Sequence, residues 1–461
     1  MASLNQSVKK NPIFTHEGAK AQHINPYQQL RRSVCSCMLW ESEFYESGVA
    51  IAHRIAELIK VVPPEKVASL AIEARTKFRL RHIPLLLVRE LARTGYKKTA
   101  EVLKEIIQRP DELTEFLAIY WKDGRCPLSA QVKKGLAGAF TKFSAFQLAK
   151  YNRDEAIKLR DVLFLSHAKP ISEEQSDVWK KLINGTLEAP DTWEVSLSSG
   201  KDKKETWERL LSENKLGALA FLRNLRNMKT ANVSEDIIFS TLDKIKTDRV
   251  LPYRFIAAAR YAPQWEDRIE PAMMKCVEAQ DKMKGHTVLL VDVSGSMNSP
   301  LSLKSDMTRL DAANGLAILL REICEKVSIY SFSMELCQIA PRRGFALRDA
   351  IEYSQPHSGT PLGLAVQCIY GEGKFNQIKL GHSLSNIDYT GQNLRPDRLI
   401  VITDEQTCDS VPNPIGKGYM INVSSNRNGI GYGAWKHIDG FSESIIDWIR
   451  EYELVEKEQL I

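Results

Sequence analysis

The sequence predicts an α-helical solenoid over residues 1–284, followed by a doubly wound α/β domain over residues 285–461. Three observations carry that division. Up to about residue 281, apolar residues recur three or four apart in short, proline-punctuated segments, with no strand-like alternation of any length. From Gly285 onward, short β-branched runs alternate with helix-patterned ones, the order expected of a parallel sheet wound through helices. Two of those runs, Thr287–Val291 and Arg398–Thr403, pass directly into an aspartate.

A polar lead-in of about two dozen residues precedes the first helix. Pro63–Pro64, Pro84, Pro110, Pro127, Pro170, Pro190, Pro252 and Pro263 then cut the chain into helix-length pieces, because proline lacks the N–H that a helix interior needs. Ile51, Ile55, Leu58 and Ile59 form one apolar stripe. Leu85, Leu86, Val88 and Leu91 form a second, and Leu103, Ile106 and Ile107 a third. Short helices in long succession bury such stripes only by stacking on their neighbours, as a solenoid does.

In the second half, Thr287–Val291 reads as a strand, Leu310–Lys326 as a helix and Val327–Ser333 as a second strand. A helix over Pro361–Tyr370 follows, then strands over Leu399–Thr403 and Tyr419–Ser424, and a terminal helix over Phe441–Tyr452 that would cover the sheet. Gly371–Gln392 is rich in Gly, Asn and Ser and reads as a surface loop.

After the first strand, Asp292, Ser294 and Ser296 fall at every second position, with Gly295 between the serines. Ser358-Gly-Thr-Pro-Leu362 supplies a third hydroxyl, Thr360, and the third strand ends on Asp404. The carboxyl ends of parallel strands share one sheet edge, where ligands bind, so these five residues can meet there. Two carboxylates and three hydroxyls suit a hard cation that keeps some of its waters, magnesium or another divalent ion. The set resembles the metal-ion-dependent adhesion site of von Willebrand factor A domains, Asp-x-Ser-x-Ser followed by a threonine and an aspartate. A serine nucleophile is the rival reading, but Val293-Ser-Gly-Ser-Met297 lacks the glycine on each side of a serine that a nucleophile elbow needs.

Composition narrows the function further. The chain has 461 residues and a net charge of +6, unevenly spread. Residues 1–283 hold 46 Lys and Arg against 36 Asp and Glu, and residues 284–461 hold 17 against 21, so the first part is the one suited to a polyanion. No apolar run approaches the roughly 18 residues of a membrane span, and the start has no signal-peptide core, so a cytoplasmic protein is expected. Neither the eight cysteines, of which Cys35 and Cys37 lie closest, nor the nine histidines form a zinc pattern. Basic residues cluster in two blocks. Arg75, Lys77, Arg79, Arg81, Arg89, Arg93, Lys97, Lys98 and Lys104 make the first, and Lys133, Lys134, Lys142, Lys150, Arg153, Lys158 and Arg160 the second. Many of these would be solvated helix faces.

Three stretches, Leu30–Glu46, Arg160–Pro170 and Lys215–Met228, resemble the TROVE module of the Ro autoantigen family, of the bacterial or phage type. A TROVE module followed by a von Willebrand factor A domain is that family's architecture. The resemblance implies HEAT-like helical pairs closed into a monomeric ring, Y-type small noncoding RNA bound on the outer surface, and single-stranded ends of misfolded RNA in the hole. It also implies, as a partner, polynucleotide phosphorylase or another exoribonuclease. The family's Lys-Tyr and Ser-His-x-Lys-Pro residues carry over onto Lys150 and His167, with Lys169 in the same stretch. The family's arginine four residues after the lysine is Asp154 here, with Arg153 beside it. Lys133, Lys134, Arg79 and Arg81 are the candidates for the hole.

The expected function is therefore a non-catalytic RNA-binding scaffold in RNA quality control or degradation. A metal-dependent protein-binding adhesion module with a protein-docking solenoid is the alternative. A metal-dependent nuclease fits less well, since only Asp292 and Asp404 are carboxylates, whereas two metals about 4 Å apart need more acids to hold them.

Overall fold

The computed structural model describes residues 12–35, 47–188, 190–198, 202–247, 250, 252–278, 281–301, 306–372, 378–380, 395–424, 428–440, 445–446, 448–450 and 452–453. The chain divides into two compact units. One comprises residues 1–32, 43–46 and 280–441, and the other residues 33–42, 47–279 and 442–461. This differs from a single cut between 284 and 285. The leading residues group with the α/β unit, and the last stretch, expected to cover the sheet, groups with the helices. Cys37, the greater part of the Leu30–Glu46 stretch and most of Gly371–Gln392 lie outside the described residues.

The helices up to residue 278 are α1 (Pro26–Cys35), α2 (Gly48–Val61), α3 (Pro64–Thr76), α4 (His82–Arg93), α5 (Thr99–Ile106), α6 (Asp111–Tyr120), α7 (Ala130–Phe140) and α8 (Ala145–Tyr151). They continue with α9 (Leu159–Ser166), α10 (Glu173–Asn184), α11 (Trp193–Ser198), α12 (Lys203–Ser212), α13 (Ala218–Thr230), α14 (Glu235–Lys244), α15 (Pro252–Tyr261) and α16 (Glu266–Glu278). Their starts follow local chemistry. Pro64 opens α3 where a missing N–H costs nothing, and the Ser129, Ser144 and Ser172 hydroxyls accept from the N–H groups that α7, α8 and α10 leave unpaired. Helices pack on their next-but-one neighbours: α3 on α5, α5 on α7 and α7 on α9 in one row, α2 on α4 and α4 on α6 in another, and later α12 on α14 and α14 on α16. That is the solenoid the periodicity predicts. Gly135 lets α7 approach α5, since a Cβ there would stand 2.9 Å from Leu103 Cβ. Among the described residues, no helix is long and apolar enough to cross a membrane.

The α/β unit is a seven-stranded sheet in the order β4-β3-β2-β1-β5-β6-β7. Its strands are β1 (Met283–Asp292), β2 (Cys324–Phe332), β3 (Leu336–Gln338), β4 (Ile378–Leu380), β5 (Arg398–Thr403), β6 (Lys417–Asn422) and β7 (Lys436–Asp439). Helices α17 (Arg309–Ile323), α18 (Gly344–Glu352) and α19 (Leu362–Ile369) accompany them. A parallel sheet was expected, but the sheet is mixed, because the short β3 turns back antiparallel on β2. Every residue of β5 is buried, and so is every residue of β1 from Thr287 onward, which is why both strands read as unbroken apolar runs. Val288 and Leu290 pack with Val366 and Ile369 of α19.

The described part of the polar lead-in, residues 12–25, is structured and belongs to this unit. Thr15 Oγ1 donates to the Thr407 carbonyl at 2.7 Å, and Asn428 Nδ2 donates to the Phe14 carbonyl at 2.7 Å. Arg32 closes the segment from α1. Its Nη1 lies 3.1 Å from Glu405 Oε2, with both side chains fully buried.

Candidate metal centre and nucleic-acid interface

All five expected metal ligands come to the carboxyl edge of the sheet. Val291 of β1 pairs with Ile402 of β5, so Asp292 ends its strand beside Thr403, whose hydroxyl donates to Asp292 Oδ2 at 2.6 Å. The Ser294 N–H donates to Asp292 Oδ1 at 2.8 Å, folding the loop back over the strand end. A turn of 3-10 helix over Gly295–Asn298 leaves the Ser294 and Ser296 hydroxyls 3.3 Å apart. The Gly295 N–H donates to the Ser358 carbonyl at 3.0 Å, docking this loop on the segment that carries Thr360. Ser333, just past β2, pins that segment through hydrogen bonds with the Ser358 N–H at 2.9 Å and the Gly359 carbonyl at 3.0 Å. On the other side, the Thr407 hydroxyl donates to the Thr360 carbonyl at 2.7 Å.

Electrostatics favour a cation here. Burial, and then the nearby charge of Asp404, push the Asp292 carboxyl up to about 7. Asp404 has one counter-charge already, Arg309 Nη1 at 3.1 Å from its Oδ2, and both groups are buried. Asp292 has hydroxyl and N–H donors but, among the described residues, no ion pair of its own. Two crowded carboxylates among three hydroxyls thus fit a hard divalent ion, which would be held by Asp292, Ser294, Ser296, Thr360 and Asp404. Glu405, the next residue, takes a left-handed backbone (φ 63°) and turns its side chain into a buried cluster. Burial alone would raise its carboxyl. The charges of Arg32 and His437, with the Ile430 and Gly431 N–H groups, outweigh burial and hold it well below the usual range. Sequence reasoning missed this cluster, and the only signal was an arginine set among the apolar residues of α1.

The basic residues of the helical unit separate into two kinds. Four of the nine residues of the first block, Arg75, Arg81, Arg89 and Arg93, form ion pairs within the helical unit. Arg75 Nη2 lies 2.6 Å from Glu112 Oε1, and Arg89 and Arg93 both pair with Asp123. Arg81, a candidate for the hole, pairs with Asp111 at 3.0 Å and Glu115 at 2.7 Å. It ties the start of α4 to α6. Arg79, exposed and in a left-handed turn (φ 55°), sits between α3 and α4. In the second block, Lys150 ends α8 with its Nζ 5.7 Å from the Tyr151 ring centre, and Arg109 stands over the same ring at 4.7 Å. Arg153 is exposed, 3.9 Å from Glu155, and Asp154 is held by Lys158.

His167 caps α9 in a left-handed conformation (φ 53°) and is exposed, as are Lys169 and Lys134. It lines a cleft of about 450 Å³ together with Trp121, Arg125, Lys133 and Phe164. Lys133, a candidate for the hole, and His167 line this same cleft. Lys150, which the resemblance pairs with His167, is not among the residues lining it. Trp121, Arg125 and Phe164 were not anticipated. Their signal was an aromatic-Gly-Arg stretch, Trp121-Lys-Asp-Gly-Arg125, between two helices.

The TROVE domain family model matches residues 180–311. Over those residues the chain is similar to TROVE domains. Its fold is that of the Deinococcus radiodurans Ro (RSR) protein, whose crystal structure superposes with a TM-score of 0.57 over 91% of this chain and 97% of that one, at 16% identity. No curated protein matches the chain significantly. The TROVE match covers the helices from α11 to α16 together with Asp292, Ser294 and Ser296. Lys150 and His167 precede it, so Lys150 rests on the resemblance alone and His167 on the resemblance and the cleft's geometry.

Proposed function

We propose that the chain is a non-catalytic, cytoplasmic RNA-binding scaffold of the Ro type. On this reading it binds Y-type small noncoding RNA and the single-stranded ends of misfolded RNA, and delivers them to an exoribonuclease such as polynucleotide phosphorylase. The proposal includes the closed monomeric ring that the family resemblance implies. The observation that carries the RNA reading is the cleft, where Arg125, Lys133 and His167 meet two aromatic rings with no carboxylate in the lining. Lysine and arginine supply phosphate affinity that falls with salt, and unpaired RNA offers faces that rings can stack on.

In the α/β unit, one divalent ion on Asp292, Ser294, Ser296, Thr360 and Asp404 would stabilise the sheet edge and accept a partner's acidic group in an open position. This keeps a protein-binding role beside the RNA role, favoured by the partial exposure of Ser296 and the exposure of Gly295 at the lip of the site. The test is a filter-binding titration of the full chain with a hairpin RNA and a single-stranded RNA at several salt concentrations. Binding that weakens steeply with salt supports the proposal, and no binding of either RNA at low salt refutes it.

A further inference from the structure

Four arginines of the first basic block, Arg75, Arg81, Arg89 and Arg93, are paired with acids of the helical unit, and that makes the cleft between α6, α7 and α9 stand apart. Neither Arg125 nor Lys133 is paired with a carboxylate among the described residues, and the one acid in the adjoining loop, Asp123, is held by Arg89 and Arg93. The cleft's walls are fixed rather than adaptable. Trp121 Nε1–H donates to the Cys126 carbonyl at 2.8 Å, which ties the indole to its own loop, and the Arg125 guanidinium covers the ring 5.0 Å from its centre. Phe164, by contrast, is 60% exposed on α9 and leaves its ring available, one turn before His167. An exposed phenylalanine contributes nothing to the core and costs apolar hydration.

We infer that this cleft is a pocket for one unpaired nucleotide of RNA: the base stacks on Phe164 against the Trp121 wall, and the flanking phosphates lie on Arg125 and Lys133. The volume is that of a small-molecule site, about 300–1,000 Å³. A duplex keeps its bases stacked on each other and offers only phosphates here, so the pocket favours strand ends and loops over helices. This rests on the RNA-binding reading above and adds to it the part of the RNA that is read and the residues that read it.

The experiment uses the full chain with a fluorescent single-stranded RNA, a blunt hairpin RNA and a labelled polyglutamate peptide. Phe164→Ala should bind the single strand about 5- to 150-fold more weakly, the size of one base–aromatic stack, with an unchanged salt slope and an unchanged hairpin affinity. Phe164→Tyr should restore binding. Because Phe164 is exposed, circular dichroism and Tm should match the parent, and Trp121→Phe provides a second variant that keeps a ring in the wall. Single-strand affinity of Phe164→Ala within twofold of the parent overturns the pocket while leaving the RNA reading intact. Polyglutamate binding as tight as RNA and equally dependent on Phe164 overturns the nucleotide assignment in favour of an acidic peptide. A parent chain that binds neither RNA overturns both readings.

Discussion

In the α/β unit the charges that matter are buried and held: Arg32, Asp292, Arg309, Asp404 and Glu405 are each at most 2% exposed. In the helical unit the corresponding candidates, Arg125, His167 and Phe164, stand in solvent. The first arrangement is built by strands whose ends converge on one edge. The second arises where the loop between α6 and α7 meets the end of α9. The difference predicts that substitutions in the first region act mainly on stability and metal affinity, and that substitutions in the second act on RNA with the fold intact.

The largest expected effect lies in the first region. Arg32→Ala leaves the fully buried Glu405 without its arginine, and stability to denaturant should fall by about 3–5 kcal/mol. A loss below about 1 kcal/mol, within the range of an exposed pair, would show that the cluster is not the anchor of the lead-in segment. The two carboxyls of this unit should also give opposite pH slopes. Glu405 is depressed, so its contribution is present at neutral pH and is lost as pH falls below the unfolded carboxyl range. Asp292 is raised, so its contribution is present in acid and is lost as pH rises through about 7. Metal-free protein should therefore lose Tm between about pH 4 and 7 from Asp292, and magnesium should restore it. Asp292→Asn should flatten that slope and abolish the magnesium response; a variant that still gains Tm with magnesium would place the ion elsewhere.

In the second region, neutralising Lys150 and His167 together should weaken hairpin RNA and lower its salt slope by about one, with little change in fold. Unchanged affinity would make His167 a helix cap and nothing more. The smallest effect is expected from Asp292→Ala and Asp404→Ala on RNA, where affinity should stay within twofold. A loss of RNA binding at unchanged Tm would break the separation between the two regions.

How much of this was legible follows from the same contrast. The candidate metal residues could be read because a strand buried on both faces writes an unbroken apolar run, and a polar residue at its end marks the sheet edge, as at Val291-Asp292 and Thr403-Asp404. β3 and β4, three residues each, are too short to show a period, and so the antiparallel turn of β3 went unread. The lead-in looked like a polar tail because its partners, Thr407 and Asn428, lie nearly 400 positions away in the chain; Thr15 and Thr407 are 392 apart. The solenoid was visible from apolar spacing at Leu85, Leu86, Val88 and Leu91. Which of its cations were open was not, because Arg81 and Lys133 look alike until the acids of α6 are placed beside Arg81 alone.

The most direct test of that division is one salt titration of single-stranded RNA binding, run side by side on Arg125→Ala/Lys133→Ala and on Asp292→Ala. The account predicts that the slope of log affinity against log salt falls by about 1.4 in the double variant, about 0.7 for each lost phosphate contact, and is unchanged in Asp292→Ala. An unchanged slope in the double variant, or a fall in Asp292→Ala at equal Tm, would contradict it.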